Sequence, residues 1–118
     1  MKAAEAAGTK VIGVDVDQSS ESKTVITSSM KNLSKSVYDA LAGYYAGNYP
    51  GGTSVTLNSG SEGVQLPMAT SKFNTFAQAD YDAIYQKIVN KEITIGNDTS
   101  AEDASKIEAA KVTVELVQ

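Results

Sequence analysis

Cysteine, histidine, tryptophan and arginine are all missing from this 118-residue chain. Without Cys and His it has no thiol nucleophile, no disulfide, no imidazole base and no zinc site built from the usual nitrogen and sulfur ligands. Without Arg every cation is a lysine, 10 of them against 14 carboxylates for a net charge of −4. That balance works against neutralising a phosphate backbone, so nucleic acid is not an expected partner. The bidentate guanidinium fork that grips phosphate is absent as well. No apolar run approaches the roughly 18 residues needed to span a bilayer. Nothing in the sequence calls for a cofactor, and the length is that of a single α/β domain, residues 1–118.

What is present begins with VIGVDVDQ at 11–18. Ile12, Val14 and Val16 alternate with Gly13, Asp15 and Asp17, the period of a strand, and the strand ends in two carboxylates and an amide. In open α/β sheets ligands sit beyond the carboxyl ends of strands, which makes Asp15, and after it Asp17, candidate ligand contacts. The preceding KAAEAAGTK at 2–10 reads as the end of a helix stopped by Gly8. A helix so short is marginal by itself in water, which leads us to expect that Met1 lies inside a longer reading frame.

Along the chain, Ser19 to Ser22 read as a polar turn and residues 24–27 as a second strand, with Ser28 or Ser29 as the N-cap of a following helix. Leu33, Val37, Ala40, Leu41 and Tyr44 recur at helical spacing, predicting a helix over 31–46 that stops at Gly47 and Asn48. Residues 53–57 read as a strand and 63–67 as a short extended piece. Residues 68–78 read as loop with a turn of helix. Asp80 is the expected cap of a helix with Tyr81, Ile84, Tyr85, Ile88 and Val89 on one face. Residues 92–95 then read as extended. Thr99 and Glu102 have capping-box spacing, predicting a helix over 100–110, and 112–117 alternate as a closing strand.

Three motifs carry chemistry and have to be weighed. Asp15-x-Asp17 offers carboxylate oxygens to a divalent metal, but no third ligand is visible and no metal site is assigned. Ser28-Ser29-Met30-Lys31 matches Ser-x-x-Lys, yet the Ser-Asp-Asn and Lys-Thr-Gly partners of that nucleophile are absent. Lys31 stands out, because a cation in the first turn of the expected helix opposes its macrodipole. Close to Asp15 at the strand ends, it would form a charged pair aimed at hydroxyl groups. The Tyr44-Tyr45 and Tyr81/Tyr85 pairs have the spacing of core aromatics with hydroxyls at the rim.

Together VIGVDVDQ at 11–18, VITSSMK at 25–31, SVYDAL at 36–41, GGTSVTLNSGSEGVQL at 51–66 and YDAIYQKIVNKEITI at 81–95 resemble the basic membrane protein family of bacterial substrate-binding lipoproteins, which includes the purine nucleoside receptors of ABC transporters. Two local departures are Ser61-Glu62-Gly63-Val64 in place of a Gly-Gly-Val-Gly loop, and Asn32-Leu33-Ser34 where the family has basic residues after the lysine. The resemblance implies a fragment of a type I periplasmic-binding-protein fold, a mostly parallel sheet with flanking helices, forming the C-terminal part of a two-lobed protein. It implies no enzyme activity, and a nucleoside or related small solute as ligand, with the ribose contacted by Asp15 and Lys31. It also implies a permease partner and an extracytoplasmic parent anchored by lipid to the membrane, its signal and lipid-attachment cysteine lying upstream. The alternative is a ligand-sensing or structural module of the same fold. A lobe cut from its partner is expected to self-associate through the uncovered apolar surface.

Overall fold

The computed structural model describes residues 1–95. The helix expected over 100–110 with its Thr99/Glu102 cap and the strand expected over 112–117 lie outside the described residues. Within them the elements are α1 (Lys2–Ala7), β1 (Val11–Asp15), β2 (Val25–Lys31), α2 (Leu33–Tyr45), a 3₁₀ turn (Ser59–Ser61), β3 (Val64–Gln65) and α3 (Gln78–Val89). The three strands form one sheet in the order β1-β2-β3. β1 and β2 run parallel, whereas β3 pairs antiparallel with Met30 and Lys31 at the end of β2. The sheet is therefore mixed: its longer ladder is parallel, as expected, and the two-residue β3 departs from that expectation by joining the end of β2 antiparallel.

Parallel strands need a long crossover, which is usually a helix. Here residues 16–24 make the return without one, and side-chain hydrogen bonds hold the segment down. Gln18 N–H donates to Ser28 Oγ at 3.0 Å, and Gln18 Oε1 accepts from Val14 N–H at 3.2 Å. Lys72 Nζ donates to the carbonyls of Ser19 and Ser22 at 2.9 and 3.1 Å. A register shift between Val11 and Ile12 leaves Ile26 opposite no residue of β1, and its carbonyl accepts from Lys72 N–H at 2.7 Å. The bulge thus frees a backbone acceptor for the crossing loop.

The interior around β2 is polar. Val25 is the one buried hydrophobic residue among those described, beside buried Ser22, Thr24, Thr27 and Ser28. Each of those hydroxyls is partnered: Ser22 with Glu5 and Thr24, Thr27 with Ser71, and Ser28 with Gln18 N–H. Each such bond contributes only about 0.5–1.5 kcal/mol net, while orphaning a buried partner costs about 1–3 kcal/mol. Cohesion here comes from completed polar pairs. The apolar side of β1 is exposed, with Ile12 at 64% and Val14 at 59%. Gly13 is the buried residue of this strand.

Several local expectations change for identifiable reasons. Ser28 and Ser29 continue β2, and Asn32 caps α2 by accepting from Lys35 N–H at 3.3 Å. Residues 53–57 and 92–95 join no ladder among the described residues. Asp80 is not the cap of α3; it sits one turn in, and its carboxylate accepts from the Ala77 N–H at 2.9 Å. The apolar face of α2 is real but exposed, from Leu33 through Val37 and Leu41 to Tyr44. Tyr81 and Tyr85 sit half-buried on α3 and tie it to the loop before it: Tyr81 Oη accepts from Leu66 N–H at 3.3 Å, and Tyr85 Oη donates to the Ser59 carbonyl at 3.0 Å.

A Cβ on Gly13 would lie 2.5 Å from Ser28 Oγ and 2.6 Å from Gln18 Oε1. Gly13→Ala should therefore lower stability by about 1–3 kcal/mol, the usual cost of overpacking. A fall in the urea midpoint checks this; an unchanged midpoint would show that the two side chains move aside freely.

Candidate functional site

The strand register builds the candidate site. Asp15 is the last residue of β1 and lies opposite Met30, so the next residue of β2, Lys31, stands beside it at the same carboxyl edge of the parallel pair. Lys31 Nζ lies 2.8 Å from Asp15 Oδ1, with both side chains more than half exposed. The structure thus brings the two residues together, but by a route different from the one expected. Lys31 closes a strand, one residue before the N-cap of α2, and does not stand in the first turn of the helix; strand register places it. An exposed ion pair contributes only about 0–1 kcal/mol to stability. Among the described residues its geometry leaves the second carboxylate oxygen and two ammonium hydrogens open to other partners.

Asp15 has φ +70°, a conformation uncommon for a residue with a side chain. The Val16 N–H donates to the Val14 carbonyl at 2.9 Å, so Asp15 is the centre of a tight three-residue turn. Lys31 faces a cleft of about 310 Å³ whose wall includes Leu33, Ser36, Val55, Leu57 and Val64. A larger cavity of about 530 Å³ lies between α3 and residues 57–66 and is lined mainly by Leu57, Leu66, Phe76, Tyr81, Ile84 and Ile88. That one contains neither member of the charged pair.

Behind Lys31 the chain is clamped. Asn32 N–H donates to the Gly63 carbonyl at 2.9 Å, and Asn32 Nδ2 donates to the Glu62 carbonyl at 3.0 Å. Gly63 is buried, and a Cβ there would meet Leu57 Cβ at 2.6 Å, so the loop closes on Asn32 only with glycine at this position. This is the loop that departs from the Gly-Gly-Val-Gly pattern, and the glycine it keeps is one that packing requires.

Asp17 faces a different set of partners. Its Oδ2 accepts from Thr70 Oγ1 at 2.6 Å and its Oδ1 from Ser19 N–H at 2.9 Å. The Thr70 hydroxyl, then the Ser19 backbone N–H, hold this carboxyl below the usual carboxylate range, with Lys72 adding a smaller pull. Among the described residues no three His, Cys, Asp or Glu side chains converge as a metal site. Sequence reasoning missed Gln18, Ser28, Thr70 and Lys72. Gly13 inside a strand pattern was an available signal, since such a glycine marks a close approach; nothing local announces Thr70 or Lys72.

Because the folded-state value of Asp17 is depressed, its tie to Thr70 strengthens the fold above the ordinary carboxylate range, about pH 4, and is lost as pH falls through the lowered value. Thr70→Val should move the Asp17 carboxyl back up toward the ordinary range. A carboxyl-carbon NMR titration reads this directly, and an unmoved titration would remove Thr70 as the cause.

No curated protein matches the chain. The family model described as ABC transporter substrate-binding protein PnrA-like matches residues 1–99. It is a family of extracytoplasmic solute-binding proteins and not of enzymes, and among the described residues no helix is long and apolar enough to cross a membrane. This match over residues 1–99, most of the length, means that the chain belongs to the PnrA-like family of ABC transporter substrate-binding proteins.

Proposed function

We propose that this chain is the C-terminal part of a two-lobed, lipid-anchored binding protein that captures a purine nucleoside or similar ribosyl compound outside the cell and hands it to an ABC importer permease. The observation that carries the reading is the exposed Asp15–Lys31 pair, 2.8 Å apart at the carboxyl edge of two parallel strands. An ionised carboxylate only accepts hydrogen bonds and an ammonium only donates them, so the pair offers both kinds of partner to vicinal hydroxyls. Lys31 also lines the cleft of about 310 Å³, where Leu33, Val55 and Leu57 offer apolar surface to the rest of the solute. Asp17, with both oxygens engaged by Thr70 and Ser19, serves the loop and is not assigned to the ligand.

The exposed face of α2, where Val37 stands between Leu33 and Leu41, supports the expectation that the chain by itself self-associates. Light scattering at rising concentration reads this, and a monomer throughout would overturn it.

Calorimetric titration of the full-length protein with adenosine, guanosine, inosine and ribose tests the main reading. Asp15→Ala and Lys31→Met should each weaken nucleoside binding by about 1–3 kcal/mol, the range for hydrogen bonds to charged groups. Unchanged affinity in both variants would remove the pair from the site. Heat from none of the four solutes would favour the ligand-sensing or structural module.

A further inference from the structure

Asp15 is held where a residue with a Cβ rarely stays. Its φ of +70° and the Val16 N–H to Val14 carbonyl bond of 2.9 Å define a γ-turn with a left-handed centre, a strained arrangement that needs outside support. The ion pair to Lys31 holds the Asp15 side chain and makes no bond to the backbone of the turn. Asp17 anchors to Ser19 and Thr70, on the far side of the turn from Val14.

The ladder to β2 holds Val14 and Asp15 opposite Ser29 and Met30 on one side, and the contact from the crossover is Gln18. Its side chain folds back so that Oε1 accepts from the Val14 N–H at 3.2 Å, closing residues 14–18 on themselves. Its own N–H donates at 3.0 Å to Ser28 Oγ, and Ser28 is fully buried in β2. The space it uses exists only because Gly13 has no Cβ, which would stand 2.6 Å from Gln18 Oε1. The start of the strained turn at Val14 is thereby tied through Gln18 to Ser28 of the sheet.

We propose that Gln18, anchored by Ser28, is the positioning residue that holds Asp15 in its left-handed turn, from which the carboxylate meets Lys31 and a ribosyl hydroxyl; the proposal rests on the reading of Asp15 given above. Released from Gln18, Asp15 relaxes toward extended backbone, and its carboxylate turns away from the strand edge. Glutamate at position 18 keeps an acceptor oxygen at the same reach, whereas alanine does not.

The experiment uses the full-length protein and two readouts. The first is the backbone HN–Hα coupling and Cα shift of Asp15 by NMR without ligand. They should change from left-handed to extended values in Gln18→Ala and stay left-handed in Gln18→Glu. The second is calorimetric affinity for adenosine in the wild type, Gln18→Ala, Gln18→Glu, Asp15→Ala and the Asp15→Ala/Gln18→Ala double variant. Gln18→Ala should weaken binding about tenfold or more, the scale of one charged hydrogen bond. Gln18→Glu should stay within about threefold of wild type, and Gln18→Ala should add nothing in the Asp15→Ala background, the non-additivity expected of one shared interaction. Left-handed values persisting in Gln18→Ala would overturn the proposal. So would an equal loss of affinity with and without Asp15, which marks a merely structural role. If Asp15→Ala leaves affinity unchanged while the coupling still responds to Gln18, the ligand role of Asp15 falls and the backbone role of Gln18 stands.

Discussion

The close approach over Gly13 is the constraint on which the described structure turns. Two parallel strands joined by residues 16–24 must be linked without a covering helix, so the return segment has to lie against the strands it connects. It does so through Gln18, which occupies the volume a Cβ on Gly13 would fill and bonds to both Val14 and Ser28. A larger residue at 13 would displace Gln18, and with it the turn at Asp15. The same few atoms thus link the crossover, the strand end and the charged pair.

Around that point the molecule relies on completed polar pairs more than on apolar burial. Ser22, Thr24, Thr27 and Ser28 are buried with partners, and Lys72 bonds to three carbonyls at once through its backbone and side chain. The large apolar side chains of α2 and of Ile12 and Val14 on β1 remain exposed among the described residues. A polar interior of this kind is directional. It specifies where each loop sits through hydrogen-bond geometry, which apolar contact alone does not do. That property fixes the path of the crossover beside the strand edge where Asp15 and Lys31 stand 2.8 Å apart.

Much of the helical content was legible. The spacing of Leu33, Val37, Ala40, Leu41 and Tyr44 marked α2 to within two residues at its start and one at its end, and the Tyr81 to Val89 face marked α3. The strands were less so. Residues 53–57 have the β-branched character of a strand and yet pair with nothing among the described residues, since a ladder needs a neighbour that local sequence does not name. Lys31 was singled out as a cation in the first helical turn, whereas β2 runs on through Ser28 and Ser29, Asn32 takes the cap and Lys31 stands just before it. Its proximity to Asp15 arises from parallel register instead.

The sequence by itself determined the excluded chemistries, the two amphipathic helices, and a strand that ends in acidic residues, since composition and periodicity are properties of a short window of chain. Only the tertiary structure decided that Asp15 meets Lys31, and that Asp17 is drawn to Thr70, 53 residues further along. It also decided that Gln18 lies over Gly13. These pairings depend on strand register and on the path of the crossover, which are set by contacts between distant segments, so no local pattern encodes which of two neighbouring carboxylates meets the lysine at the strand edge.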